Sequence, residues 1–481
     1  MHFGDASAGR HRSGIVVRLA SMFSNIVNTF ANCFKIPELK SRILFTAMLL
    51  AICRVVAYIP VPGLNNSALV DFISTLPAAS GNSILGMYSL FTGGALTRCA
   101  IGGLGIMPYI TATIIIQLLS AVVPTLSKLA REEGGRAKIV QYGRYLTVLL
   151  CLGQGTLMAL GWKNPRSIPG FEQFTGDLVT VQSTWWYMTQ TVLVLTTGTL
   201  LLMWLGEQIT ERGIGNGVSL VITIGILADL PTAANSFYHA FFPGEELEGL
   251  NLGFAFVLAG MLVAVVMGVI AVTQAQRKIP VQYAQRAVGR KIYSGGSSFM
   301  PLRVNYAGVM PIIFAQAILM FPSTIFLWLG NVSNVPLFVD LGRQLSSGQL
   351  LHYVLYALMI LFFSYFWVAT QFNEIQIADD LKKHGGYIPG VRPGQATSEF
   401  LHRAMSRITL AGAIFLTVIA VVPELLTRSI GIDHTVSRFF GGTSILITVG
   451  VLLDTMRQME SHLMMRHYDG FLKKGRLKGR F

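Results

Sequence analysis

The sequence predicts an all-α polytopic membrane protein with ten transmembrane helices. The first observation is composition, because 52% of the 481 residues are hydrophobic and only 12% are charged, whereas a soluble domain is about 25% charged. The second is a set of ten apolar runs, each close to the roughly 17–25 residues that a helix needs to cross a bilayer. The third is the uneven distribution of Lys and Arg, which orients these runs.

Polar segments that carry nearly all the charge separate the ten apolar runs. The fifth run is short and opens on the glycine-rich stretch GIGNG, in which Asn216 is expected to serve the start of the helix. The predicted spans are residues 43–60, 103–123, 145–161, 187–206, 214–230, 252–273, 305–329, 351–371, 408–426 and 439–456.

Basic residues orient these spans. With the N-terminus in the cytosol, the cytosolic segments hold 30 of the 37 Lys and Arg, the outer segments hold six, and Arg54 lies within the first span. Cytosolic loops of membrane proteins carry such an excess. A missed or extra span would reverse the side of every later segment and place basic segments on both sides of the membrane. We therefore expect cytosolic termini, with an N-terminal tail over residues 1–42 and a basic C-terminal tail over 457–481.

The outer loop at residues 231–251 divides the chain into two halves of five spans, 43–230 and 252–456. An odd number of spans in each half requires the halves to be inverted relative to each other. Many transport proteins have this arrangement, with the pathway at the interface between the halves. We therefore expect two inverted five-helix halves, joined by residues 231–251 as an external hinge.

Two cytosolic loops of the second half are long. Residues 274–304 hold six bases and no acid, and residues 372–407 are interrupted by Gly and Pro. A basic loop can serve orientation alone. Two long loops together favour a docking surface for an acidic or RNA-bearing partner.

Signatures of covalent chemistry are missing from the sequence. There is no P-loop, HExxH or GxSxG motif, and no catalytic constellation inside a span. The four cysteines, Cys33, Cys53, Cys99 and Cys151, match no zinc spacing, and no disulfide is assigned. We expect no enzyme activity, no catalytic residue, no metal and no cofactor. An ion-coupled transporter of small solutes is the alternative, but its coupling residues would be buried charges at the midplane, where these spans hold no acidic cluster.

Several motifs follow one another along the chain in an order that is typical of one family. They are GGALTR, LGIMPYITATIIIQLL, YGRYLTVLL, WLGEQITERGIGNG, VNYAGVMPIIFAQAI, DDLKKHGGYIPGVRPG and FGGTSILI. Over roughly residues 39–480 the chain thus resembles the SecY family, the central subunits of bacterial protein-conducting channels. The resemblance implies a channel of the bacterial inner membrane that passes unfolded secretory polypeptides through a central pore. It also implies that hydrophobic segments leave sideways through a lateral gate.

The resemblance implies a constriction formed mostly by isoleucine side chains from several helices. An apolar neck loses its water when it is empty and so resists ions, and branched aliphatic side chains fit many substrate shapes. On sequence alone these residues are ordinary span residues. The matching positions are Ile106, Ile110, Val218, Ile222, Ile313 and Ile447. Val218 is one methyl group smaller than isoleucine, which loosens the ring slightly.

A short glycine-rich segment precedes the second span. Residues from about 84 to 96 are too few to cross about 30 Å of hydrocarbon, so a half-helix there must be surrounded by protein or water. Without the family, an outer loop that packs permanently is the simpler interpretation. The resemblance implies a plug under the pore. The plug and its hinge contain Leu90, Phe91, Gly93, Gly94, Gly102, Gly103 and Gly105.

The resemblance also implies a lateral gate, a seam between spans two and three on one side and seven and eight on the other. The residues assigned to it are Thr111, Ile114, Gln117 and Phe321. A polar residue in a span can instead form a hydrogen bond between helices, which stabilises the packed helices by about 0.6 kcal/mol. A polar seam is weak in lipid, so a hydrophobic signal sequence can replace its contacts.

The partners that the resemblance implies are SecE- and SecG-like small membrane subunits, a SecA-like motor ATPase and the ribosome, including its RNA. Signal sequences, nascent polypeptides and the lipid bilayer are the other expected contacts. The turn YIPGVRPG places Arg392 at the tip of a protruding loop, although a solvated loop arginine is the simpler interpretation. The residues expected to dock partners are Arg277, Lys278, Arg290, Lys291 and Arg392.

Overall fold

A computed structural model provides the three-dimensional structure of the chain. It describes residues 36–66, 69, 92–132, 134–165, 176, 178–181, 183–241, 252–283, 286–288, 291–293, 297–333, 335–346, 349–429 and 443–474. Most of the predicted N-terminal tail, residues 1–35, and most of the predicted plug, residues 84–91, lie outside these ranges.

Helices dominate the described residues. In chain order they are α1 (Pro37–Val56), α2 (Met107–Val122), α3 (Pro124–Arg131), α4 (Gly135–Lys163), α5 (Thr184–Arg212), α6 (Gly217–Ala228), α7 (Leu230–Phe241), α8 (Leu252–Gln274), α9 (Met310–Ser333), α10 (Pro336–Leu345), α11 (Leu350–Gln371), α12 (Glu374–Lys383), α13 (Gln395–Ser429) and α14 (Thr443–Lys474). The short strands are β1 (Gln276–Tyr283), β2 (Arg286–Val288), β3 (Lys291–Tyr293), β4 (Ser297–Arg303) and β5 (Gly386–Tyr387).

One helix lies on each of the ten predicted spans, and α3, α7, α10 and α12 lie between them. Within the described ranges, six stretches are long and apolar enough to cross a membrane, and they coincide with predicted spans three, four, five, six, eight and nine. Large apolar side chains such as Trp185, Phe256 and Leu350 are exposed on the outside of the bundle, as expected where the surrounding solvent is lipid. The all-α multi-pass fold is confirmed, and its helices are consistent with ten spans.

Some boundaries differ from the prediction for local reasons. Helix α9 begins at Met310 and not near residue 305, because Gly308 has a φ of +64° and the Asn305 side chain donates to the Gly308 carbonyl at 2.9 Å. A left-handed residue bonded in this way cannot continue a helix toward the N-terminus. The predicted hinge over residues 231–251 is also not a loop throughout, since α7 occupies its first part.

The basic loop at 274–304 departs from the all-helical expectation, because it folds into an antiparallel hairpin of β1 and β4. The register runs from Gln276↔Arg303 to Gln282↔Ser297. On the other side of β1, Gln282 and Tyr283 pair with Tyr387 and Gly386 of β5. The two long cytosolic loops, which appear separate in the sequence, therefore share one three-stranded sheet in the order β4-β1-β5.

Apolar side chains anchor this sheet to the helical bundle. Ile279 and Leu302 on its inner face are buried against Val368 and Phe372 at the end of α11 and Leu401 of α13. Burial of this kind contributes about 25 cal/mol for each Å² of apolar surface removed from water. The sheet is therefore held in a fixed position at one end of the bundle.

The two predicted halves meet through specific helix pairs. Helix α9 of the second half packs on α2 of the first, and α14 packs on α6. Between them lies the largest buried cluster of the described residues, which takes members from both halves. The interface between the halves is thus an apolar core at the level of α2, α6, α9 and α14.

Candidate functional site

The six residues of the predicted ring lie in this interface. Five of them are isoleucines that are 0–3% exposed and belong to the one buried cluster, and Val218 is half-buried and packs against it. Two are on α6, one is on α9, one is on α14, and Ile110 and the N-cap residue Ile106 belong to α2. The fold therefore brings side chains from four helices and both halves into one apolar cluster.

The GIGNG stretch fixes the position of α6 in this ring. The Asn216 side chain caps the helix by accepting a hydrogen bond from the Ser219 amide at 3.2 Å, which confirms its expected role. A Cβ atom on Gly217 would lie 1.9 Å from the Gly206 carbonyl oxygen, so α5 and α6 meet backbone to backbone. The Gly215 amide donates to the Gln458 side chain of α14 at 2.8 Å. Val218 and Ile222 are thus presented from a tightly constrained helix start.

The glycines of the predicted plug hinge are all buried, and residues 90 and 91 lie outside the described ranges. Gly93, Gly94 and Gly105 have φ values of +60°, +78° and +59°, a region that favours glycine. A Cβ on Gly103 would lie 3.0 Å from the Ala100 carbonyl oxygen. In the structure these glycines permit close packing and left-handed turns.

Two strand-like contacts hold the segment that leads into α2. The Val61 amide donates to the Cys99 carbonyl at 2.8 Å, and the Ile101 amide donates to the Ile59 carbonyl at 2.8 Å. Cys99, Ala95 and Ala100 are each 0% exposed. This segment therefore packs as an internal part of the protein, with the residues that follow α1 as its partner.

Three of the predicted gate residues lie on α2 and one lies on α9, and these two helices pack against each other. The Thr111 hydroxyl donates to the Met107 carbonyl of its own helix at 3.0 Å. Ile114 is 1% exposed and Gln117 is half-buried. Phe321 is a residue of α9 whose side chain is not among those described. The Thr111 hydroxyl is therefore satisfied within α2 and is not used for a bond between helices.

The predicted docking residues that the structure describes are exposed at one end of the bundle. Arg277 and Lys278 are exposed on β1, and Arg392 is exposed in the turn that follows β5. The Thr397 hydroxyl donates a hydrogen bond to the Arg392 backbone carbonyl at 2.9 Å, which fixes the backbone of the turn. Arg290 and the side chain of Lys291 lie outside the described part of the chain.

Sequence reasoning missed an ion pair between spans three and four. The Arg144 guanidinium of α4 donates two hydrogen bonds to the Glu207 carboxylate of α5, at 3.1 and 2.8 Å. A bidentate pair of this kind fixes orientation as well as distance. The motifs YGRY and GEQ contain both residues, but their spacing of 63 positions does not indicate the contact.

Comparison with known proteins gives a consistent result. The model of the SecY family matches residues 100–456. The chain is 42% identical over 459 residues to the protein translocase subunit SecY of Chlamydia muridarum, covering 94% of this chain and 99% of the relative. It is 43% identical over 456 residues to that of Thermotoga maritima, with coverage of 94% and 99%. For Escherichia coli strain K12 the values are 42% over 445 residues, with coverage of 92% and 96%.

Solved structures share the fold. The structure described as that of a protein conducting channel superposes with a TM-score of 0.59 at 19% identity and covers 93% of this chain and 98% of its own. Sec61 in a canine ribosome-channel complex superposes with a TM-score of 0.55 at 18% identity, with the same coverage. At these identities the likeness concerns the fold alone.

Proposed function

The chain belongs to the SecY family, and from that membership we propose how its residues form, close and open the path of a translocating polypeptide. It is a multi-pass membrane protein and a subunit of a protein translocation channel. One observation carries the proposal for the path itself: side chains from α2, α6, α9 and α14 of both halves form a continuous buried apolar cluster.

The neck of the path is formed by Ile106, Ile110, Val218, Ile222, Ile313 and Ile447. All six side chains are aliphatic, and the five isoleucines are 0–3% exposed, so the resting neck acts as a hydrophobic barrier. A polypeptide in transit meets branched aliphatic side chains, which offer it no hydrogen bonds and no charges. The neck therefore does not bind any one type of substrate side chain.

The plug is the segment about residues 84–96, and it closes the outer side of the neck at rest. Its described end, Gly93 and Gly94, packs against α6, since a Cβ on Gly93 would lie 2.9 Å from the Gly225 Cα. Gly102, Gly103 and Gly105 form its connection to α2. Displacement of the plug requires these close contacts to separate.

The lateral gate is the seam between spans two and three (α2 and α4) on one side and spans seven and eight (α9 and α11) on the other. Its proposed wall residues are Thr111, Ile114, Gln117 and Phe321. Because the Thr111 hydroxyl is satisfied within its own helix, opening of the seam costs apolar contacts and not a hydrogen bond at that position. A hydrophobic signal segment can replace apolar contacts of that kind at little net cost. Such a segment then passes sideways into the bilayer.

The chain catalyses no covalent chemistry, so the energy for transport comes from a partner. The sheet β4-β1-β5 and the Arg392 turn provide an exposed basic surface for a SecA-like motor or for the ribosome and its RNA, with Arg277 and Lys278 exposed on β1. Arg290 and Lys291 are proposed to serve the same docking. SecE- and SecG-like subunits complete the complex. The protein resides in the bacterial inner membrane with both termini in the cytosol.

Reconstitution tests this function against the solute-transporter alternative. Proteoliposomes that contain the channel complex are supplied with an unfolded secretory precursor, a SecA-like motor and ATP. The proposal predicts that precursor becomes protected from added protease only when motor and ATP are present. Motor-independent, ion-gradient-driven uptake of a small solute, with no protected precursor, would contradict it.

A further inference from the structure

Arg54 lies inside the first predicted span but belongs to neither the neck, the gate nor the docking surface. It is in the last turn of α1. Charged residues within spans are costly and are retained where they pair with another group. The Arg54 guanidinium donates a hydrogen bond from Nη1 to the Gly93 carbonyl at 3.2 Å. The partner is therefore the backbone of the segment assigned to the plug.

A second arginine and an aromatic ring complete this contact. The Arg98 guanidinium carbon lies 4.2 Å from the centre of the Tyr58 ring, and that of Arg54 lies 5.5 Å from the same centre. Cations at these distances are attracted to the face of an aromatic ring. The buried Nη1 of Arg98 has no hydrogen-bond partner among the described residues. A Cβ on Gly94 would lie 3.8 Å from this atom and 3.9 Å from a carboxylate oxygen of Asp229, so the contact lies close to that acid as well as to the Tyr58 ring.

The shape of the backbone is adapted to this contact. A Cβ atom on Gly93 would lie 2.3 Å from the Arg54 Nη1 atom, so any other residue would displace the guanidinium. A small cavity lined by Arg54, Thr92 and Ile106 lies beside the contact. The contact is therefore adjacent to the neck, at the N-terminal end of the described segment, while the amide contacts of Val61 and Ile101 hold its C-terminal end.

We propose that Arg54 is a positioning residue of the closed channel, which acts with Tyr58 and Arg98 to hold the Gly93 end of the plug segment against the neck. The proposal rests on the proposed function, since it takes residues 84–96 as the plug. Opening must break the Arg54–Gly93 hydrogen bond and separate Arg98 from the Tyr58 ring. Loss of Arg54 therefore raises the resting open fraction by roughly 10- to 150-fold, as expected for a hydrogen bond to a charged group.

Ion flux through the intact complex in proteoliposomes, without precursor or motor, tests this role. Arg54→Ala is compared with Arg54→Lys, which keeps the charge and is expected to restore part of the closure. Tyr58→Leu removes the ring from a side chain that is 56% exposed and is expected to leak, whereas Tyr58→Phe retains the ring and is expected to remain closed. Arg42→Ala, at the exposed opposite end of α1, is the matched control. Each variant is also placed in a channel that lacks residues 84–96.

The proposal predicts that Arg54→Ala and Tyr58→Leu leak in the complete channel and add nothing to the leak of the deletion. If Arg54→Ala has normal thermal stability and wild-type ion flux while the channel without residues 84–96 leaks, the plug assignment stands and the role of Arg54 is overturned. Full additivity with the deletion would also overturn it, because Arg54 would then act on the neck. A deletion that does not leak would instead overturn the plug assignment on which the proposal rests.

Discussion

Substitution of one ring residue should open the resting channel by an amount that its burial determines. Ile222 is 1% exposed and packs in the apolar cluster between the halves. In a core, Ile→Val costs about 0.5–1.5 kcal/mol and Ile→Ala costs about 2–5 kcal/mol. If the neck loses these contacts on opening, the open fraction rises roughly 2- to 13-fold for Ile222→Val and roughly 30-fold or more for Ile222→Ala.

Helix α6 supplies a matched control for this series. Ile226 lies one turn further along the same helix and is also 1% exposed, but it has no position in the ring. Ile226→Ala should lower the melting temperature about as much as Ile222→Ala and leave ion flux at the wild-type level. Flux through proteoliposomes and thermal unfolding of each variant provide both measurements. Equal flux in the two alanine variants would refute the assignment of the ring.

Three further predictions concern other parts of the account. Arg392→Glu should reduce motor-driven export severalfold while leaving membrane insertion of the protein intact. The control Arg403→Glu, on the exposed face of α13, should export normally. Unchanged export in Arg392→Glu would remove Arg392 from the docking surface. Asn216→Ala should lower the unfolding free energy by about 1 kcal/mol through loss of the helix cap, which thermal unfolding measures, and an unchanged midpoint would show that the cap is dispensable. Gly217→Ala should prevent close packing of α5 and α6 and lower the yield of folded protein sharply, whereas Gly253→Ala meets open space and should be neutral; folded yield after detergent extraction distinguishes them.

The helical architecture was predictable because the bilayer imposes it. A span must be apolar over a fixed length, and cytosolic loops must be basic, so both signals are local in the sequence. Helices lie on all ten predicted spans for that reason. Boundaries such as the start of α9 differ because they depend on one left-handed residue, Gly308, and the side-chain hydrogen bond from Asn305.

The hairpin in the first basic loop was not predicted. Pro280 and Pro301 lie within β1 and β4, and proline normally argues against a strand because it donates no backbone hydrogen bond. The one alternating signal, buried Ile279 and Val281 between exposed neighbours, is only a few residues long. The pairing with β5 joins positions about a hundred residues apart, so it depends on tertiary packing.

The residues of the site were identified from two kinds of observation, the family resemblance and the packed structure. Composition and periodicity do not distinguish Ile222 from Ile226, and the ring assignment came from the family resemblance. The contact of Arg54 with Gly93 joins residues 39 positions apart, and that of Gly215 with Gln458 joins residues 243 apart. No local pattern reports such contacts, because they exist only after the helices have packed.

The most direct test of the account asks whether a polypeptide in transit contacts the ring. After replacement of the four native cysteines, one cysteine is placed at Ile222 or at Ile313, and a secretory chain with a single cysteine is stalled during translocation. The account predicts a disulfide at each ring position only with the stalled chain, and none from a cysteine at the exposed position of Phe256. A verified stall without crosslinks at either ring position would contradict the account, because the chain would then pass elsewhere.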